Sequence, residues 1–206
     1  MENVLFFLIT CVLLIILPGP DTAIVTKNTI VNGQKGGFQT MIGSCVGLSI
    51  HTIATVAGLS AIIVKSALAF TVIKYVGAAY LCYLGMKTLL NMRAKKVEIN
   101  DIPSIEAKGN SYFKQGLITN VTNPKVAVFF LTFLPQFLAA GNEPFWPFLT
   151  MGIMYIVLTF IWFALYVFLL NKIRNFMKKP ATQAVIEMLT GAVLIGFGLK
   201  LAFEKQ

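Results

Sequence analysis

Residues 3–20, 36–64, 144–171 and 180–199 of this chain contain no Lys, Arg, Asp or Glu apart from Glu187. As helices, runs of this length cross roughly 30 Å of hydrocarbon, which takes about 20 residues. Only 12% of the chain is charged and 57% is hydrophobic, about half the charged fraction of an ordinary soluble domain. The expected solvent of this surface is therefore lipid. The first run resembles a secretory signal only in its apolarity: no Lys or Arg precedes it, and it leads into Pro18-Gly19-Pro20 instead of a small-residue cleavage site. It is expected to stay as a helix.

Hydropathy predicts six transmembrane helices, at about residues 3–26, 38–63, 68–90, 113–140, 145–171 and 183–203, in one all-α, polytopic membrane domain spanning 1–206. The least apolar stretch, 91–112, reads as an exposed linker between two halves of three helices, 1–90 and 113–206. The halves also look alike. Gly77-Ala78-Ala79-Tyr80-Leu81 in helix 3 parallels Gly191-Ala192-Val193-Leu194-Ile195 in helix 6, and helices 1 and 4 share a proline break. Since three is odd, a second copy enters the membrane upside down, which makes the expected repeat an inverted one, a common plan of secondary transporters.

The net charge is +9, but the basic residues lie between the apolar runs, where they set membrane orientation and do not form a nucleic-acid surface. Lys27 and Lys35, the linker residues around Arg93, Lys95 and Lys96, and the group Lys172, Arg174, Lys178 and Lys179 hold most of the 17 Lys and Arg side chains. Those loops should be cytoplasmic, which places both termini outside. A bacterial inner membrane is the expected location, and a homo-oligomer is compatible with it.

Cys11, Cys45 and Cys82 are isolated within apolar segments, and His51 is the single histidine. Neither a CxxC pair nor a set of imidazoles for zinc is available. No cofactor or metal is expected, nor an enzyme: Ser44 and His51 share a helical face at i, i+7, but two turns separate them by about 10 Å, too far for a nucleophile and its base.

Two constellations carry chemistry. In Leu17-Pro18-Gly19-Pro20-Asp21 the prolines remove backbone donors, so the helix breaks beside a carboxylate. Opened backbone at membrane depth must be buried in protein or line a wet cavity, and intramembrane acids mark ion or substrate paths. The plainer reading is that Asp21 caps the next turn. In Asn120-Val121-Thr122-Asn123-Pro124-Lys125 a second proline frees a carbonyl one turn earlier, and Asn123 can donate and accept. Lys125 either snorkels to the headgroups or joins Asp21, pairing with it or bracketing a zwitterion. Gly43 and Gly47, like Gly77 and Gly191, are read as close-packing positions between helices. His51, on the same stripe, is read as a packing residue or a proton relay.

These motifs, with Gly36-Gly37-Phe38, Phe129-Phe130-Leu131 and Leu134-Pro135-Gln136-Phe137, resemble the LysE/RhtB family of bacterial amino-acid exporters over nearly the whole chain. The resemblance implies efflux of lysine, arginine, threonine, homoserine or related metabolites, driven by the proton motive force or the membrane potential. The disulfide-reductant conduits of the same superfamily carry cysteines at the two breaks; here there are none. Export of another small solute such as a metal cation is the alternative, but it would need more converging carboxylates, thiolates or imidazoles than the interior offers.

Overall fold

Proline dictates where the helices of this chain stop. In the computed structural model, which describes residues 4–59, 67–91, 111–138, 143–177 and 180–203, α1 (Val4–Ile16) ends before Leu17-Pro18-Gly19 and α2 (Pro20–Ala54) restarts on Pro20. Pro20 occupies the first helical position, where its missing amide would have had no partner anyway. The same device recurs later: α4 (Tyr112–Val121) stops at Thr122, and α5 (Pro124–Val128) restarts on Pro124 with Asn123 as its N-cap. The second broken segment continues through a π turn (Phe129–Phe133) and a 3-10 turn (Leu134–Phe137), and its two parts are inclined at 45°.

The remaining helices are α3 (Ala67–Asn91), α6 (Phe145–Met177) and α7 (Pro180–Phe203). No strand occurs among the described residues. Apart from the breaks, each of the six apolar segments is helical over its described residues. By length and hydropathy, Phe145–Leu170 can cross a bilayer, the apolar stretch Pro20–Leu59 meets the same measure although it turns at Gly33, and Tyr112–Val121 with Pro124–Phe137 is a bent pair long enough for a third crossing. Residues 92–110 of the expected linker, and the ends 1–3 and 204–206, lie outside the described residues.

Residues 27–37, read as a polar loop, hold a turn tighter than that: α2 is two helices joined at Asn32, which leaves helical geometry, and Gly33, which takes φ 63°, and the second doubles back on the first so that Asn28 Nδ2 donates to Thr40 Oγ1 at 2.8 Å. Lys27, Asn28, Gln34 and Lys35 are polar but compatible with a helix. Only Gly33 adopts the left-handed conformation that makes the turn, and it does so without a Cβ penalty.

The polarity is arranged for lipid. Leu5, Ile53, Val76 and Trp146 are 64–69% exposed, whereas Asn28, Ser44, Asn120 and Asn123 are at most 2% exposed. Phe7 and Leu14 of α1, the phenylalanines 129, 130, 133 and 137, Tyr155 of α6, Leu81 of α3 and Leu194 of α7 form the main core. A smaller cluster joins Val25 and Met41 of α2 to Phe163, Val167 and Leu170 of α6.

Glycines set the closest approaches. A Cβ on Gly43 would meet the Phe113 carbonyl oxygen, one on Gly116 the Thr40 carbonyl oxygen, and one on Gly47 the Asn120 side chain at 2.7 Å. The backbones of α2 and α4 are therefore in near contact. Gly85 and Gly191 likewise face each other's carbonyls between α3 and α7, and Gly77 faces Thr132. This close crossing brings α4, and the break at its end, against the first turns of α2.

Candidate functional site

The crossing places Asp21, the second residue of α2, among the polar side chains of α4 and its break. Its Oδ1 accepts from Ser44 Oγ at 3.2 Å and from Asn120 Nδ2 at 3.2 Å, and its Oδ2 accepts from Asn123 Nδ2. Asp21 is 8% exposed. All three donors are neutral, so the carboxylate is hydrogen-bonded but its charge is not cancelled. It makes no bond to the amides of its own helix start, whose N-cap position is Gly19. The carboxylate thus ties two halves of the chain together instead of capping the next turn.

Asn123 works in two directions. Its Oδ1 accepts from the Lys125 amide at 3.0 Å, which caps α5, while its Nδ2 reaches Asp21. Lys125, at the second position of α5, sends its Nζ to the carbonyl oxygens of Leu14 and Leu17 at 3.1 and 3.0 Å. These are carbonyls that α1 leaves open when it stops, and a cation at a helix C-terminus is favoured there. Asp21 and Lys125 do not form an ion pair. Both line one cavity of about 20 Å³, together with Leu14, Ile15, Thr22, Leu48, Asn120, Val126, Tyr155, Thr159 and Phe163. A volume of this size holds about one water molecule.

The other residues of the proline motifs serve the backbone. Gly19 is extended (φ −158°, ψ −171°), which any residue can adopt; its lack of a side chain matters because a Cβ there would lie 3.2 Å from Lys125 Nζ. By position in its helix, Pro20 is the counterpart of Pro124, since each fills the first turn after a break. Pro18 lies inside the first break.

His51 sits to one side. Its Nε2 is 3.2 Å from the Asn120 carbonyl oxygen and its ring stacks on Phe130 at 5.7 Å. Because a carbonyl only accepts, Nε2 carries the hydrogen of that bond. His51 does not line the cavity.

Sequence reasoning left out Ser44, weighed only as half of a hydrolase dyad, and also Thr22, Tyr155 and Thr159. Asn120 opens the second polar constellation, but no role at the site was read for it. Tyr155 and Thr159 stand four apart on one face in the largely apolar first part of α6, which was the available signal. Among the described residues, no three His, Cys, Asp or Glu side chains converge.

The profile of the LysE type translocator family matches residues 12–205. The chain is 34% identical to an "Uncharacterized membrane protein YrhP" of Bacillus subtilis over 97% of its own length and 98% of that protein's. It is 30% identical to the "Homoserine/homoserine lactone efflux protein" of Salmonella typhimurium over 97% and 96% of the two chains, and 29% identical to a membrane protein of Vibrio cholerae over 98% and 97%. No solved structure matches. Family profile and apolar helices agree on a membrane-embedded carrier of a small molecule. The chain belongs to the LysE type translocator family.

Proposed function

We propose that this protein exports amino acids, or closely related metabolites, from the bacterial cytoplasm across the inner membrane, with the substrate's ammonium at Asp21 and its carboxylate at Lys125. One observation carries the reading: a single anion and a single cation, not neutralised by each other, line the same cavity. A carboxylate offers about four acceptor sites and an ammonium three donors. Asp21 uses three of its sites and Lys125 two of its donors. Each keeps one place for a substrate group of opposite charge.

The cavity is too small for an amino acid as it stands, so binding has to part the two breaks. Parting the breaks loosens the hydrogen bonds that hold the halves together, and the substrate ammonium and carboxylate take the places left at Asp21 and Lys125, which couples occupancy to movement. That coupling is what alternating access requires. The halves act as inverted repeats, with linker 91–112 in the cytoplasm and both termini outside, and the proton motive force drives export. His51 steadies the Asn120 carbonyl.

The Salmonella relative is named for homoserine and its lactone. The lactone keeps the ammonium and offers Lys125 a carbonyl oxygen as acceptor, so one site suits both. Export of a metal cation fits less well, because no cluster of ligating side chains forms among the described residues.

Counterflow into proteoliposomes tests the reading. Labelled homoserine should be displaced by other neutral amino acids. Analogues lacking the amine should compete poorly, and analogues lacking any oxygen acceptor in place of the carboxylate should do the same. Competition that ignores the amine contradicts the assignment of Asp21.

A further inference from the structure

Two hydroxyls in the cavity wall, those of Thr22 and Tyr155, have no hydrogen-bond partner among the described residues, while Thr159 Oγ1 is engaged with the Tyr155 carbonyl oxygen at 2.8 Å. Thr22 adjoins Asp21 in the chain and so belongs to the ammonium end. Tyr155 comes from α6, which neither break interrupts, and is only 3% exposed. Its ring is fixed by stacking on Phe129 at 4.7 Å and by an edge contact with Phe130 at 5.6 Å. A tyrosine this deeply placed ordinarily uses its hydroxyl. Here the ring is held rigidly and its hydroxyl bonds to no described residue, while the cavity wall is otherwise mostly apolar (Leu14, Ile15, Leu48, Val126, Phe163), with the unpaired Asn120 Oδ1 beside Asp21.

We propose that Tyr155 reads the substrate's side chain, its hydroxyl being the hydrogen-bond partner of an uncharged oxygen, a hydroxyl or carbonyl, that the substrate carries beyond its ammonium and carboxylate. The proposal rests on the placement of the ammonium at Asp21 and the carboxylate at Lys125, since those two groups are common to every amino acid and leave Tyr155 to discriminate. A polar group that is built to meet a substrate oxygen, and is left unpaired by an analogue lacking it, is the stronger kind of selectivity; an apolar wall by itself distinguishes poorly. The substrate class is then a small neutral amino acid with an oxygen on its side chain. A charged side chain has no counter-charge in this wall.

The test compares uptake of homoserine and of 2-aminobutyrate, which has the same skeleton without the hydroxyl, by the full-length protein in proteoliposomes. The wild type should show a lower KM for homoserine. Tyr155→Phe keeps the ring and its stacking and removes only the oxygen, so it should raise the homoserine KM about tenfold, the size of one hydrogen bond, and leave the KM for 2-aminobutyrate and both kcat values nearly unchanged. Thr22→Val should keep the preference for homoserine. Equal effects of Tyr155→Phe on both substrates, a wild type without preference, or a preference that disappears with Thr22→Val each overturn the proposal. If Asp21→Asn abolishes uptake while Tyr155→Phe leaves the substrate ratio unchanged, this proposal alone fails. If Asp21→Asn transports at the wild-type rate, the site reading fails and takes this one with it.

Discussion

The Lys125 ammonium donates to the Leu17 carbonyl oxygen at 3.0 Å, so a residue opening a helix in the second half of the chain closes the end of a helix in the first. Gly19 leaves the space for it. Asp21, at the same position in α2 that Lys125 holds in α5, reaches back to Asn120 and Asn123 at the end of α4. Each break is thus bridged by the charged residue of the other, and the two bridges meet at one cavity.

Replacing Lys125 should consequently cost both stability and transport. Lys125→Met keeps the apolar stem but orphans the Leu14 and Leu17 carbonyls, and should lose about 2 kcal/mol, the worth of a hydrogen bond to a charged group. Thermal unfolding in detergent checks this, and counterflow should show export falling as well. Had the side chain snorkelled to the headgroups, both quantities would stay near wild type.

The breaks and their chemistry were legible because proline and glycine act locally: Pro18, Pro20 and Pro124 interrupt the helical hydrogen-bond ladder whatever surrounds them. Asp21 and Lys125 stood out because charges in apolar runs are rare. The partners were not legible. Nothing along the chain says that Ser44, 23 positions after Asp21, returns to it, or that Lys125 turns toward carbonyls over a hundred residues earlier. Ser44 returns to Asp21 because α2 turns back at Gly33, and the glycine-mediated crossing of α2 and α4 sets Asn120 beside them, both tertiary facts. The turn in the run 27–37 was legible from its polar composition, but its tightness was not, since Asn32 and Gly33 alone leave helical geometry.

That crossing makes its own prediction. Gly116→Ala places a methyl group against the Thr40 carbonyl between two backbones that cannot both yield, and should destabilise the protein by about 1–3 kcal/mol. Gly33→Ala meets no neighbouring atom, but it strains a positive φ and should shift the α2 kink. Yield of monodisperse protein and melting temperature separate the two, with Gly116→Ala the more severe.

Orientation is tested with cysteine labelling. In a background lacking Cys11, Cys45 and Cys82, Ser104→Cys in the linker should resist an impermeant thiol reagent in intact cells and react after permeabilisation. Labelling in intact cells would mean that the linker faces outward.

The central claim, that the charge of Asp21 holds the substrate, is tested most directly by export from cells or vesicles carrying Asp21→Asn, with membrane insertion measured in parallel. The amide keeps the volume but removes the anion, and it turns an NH2 group toward one of the donors that the carboxylate now accepts from. Insertion should be unchanged, export should be lost, and Asp21→Glu should retain part of it. Export by Asp21→Asn at the wild-type rate would contradict the account, leaving Asp21 as a structural tie between the two halves and nothing more.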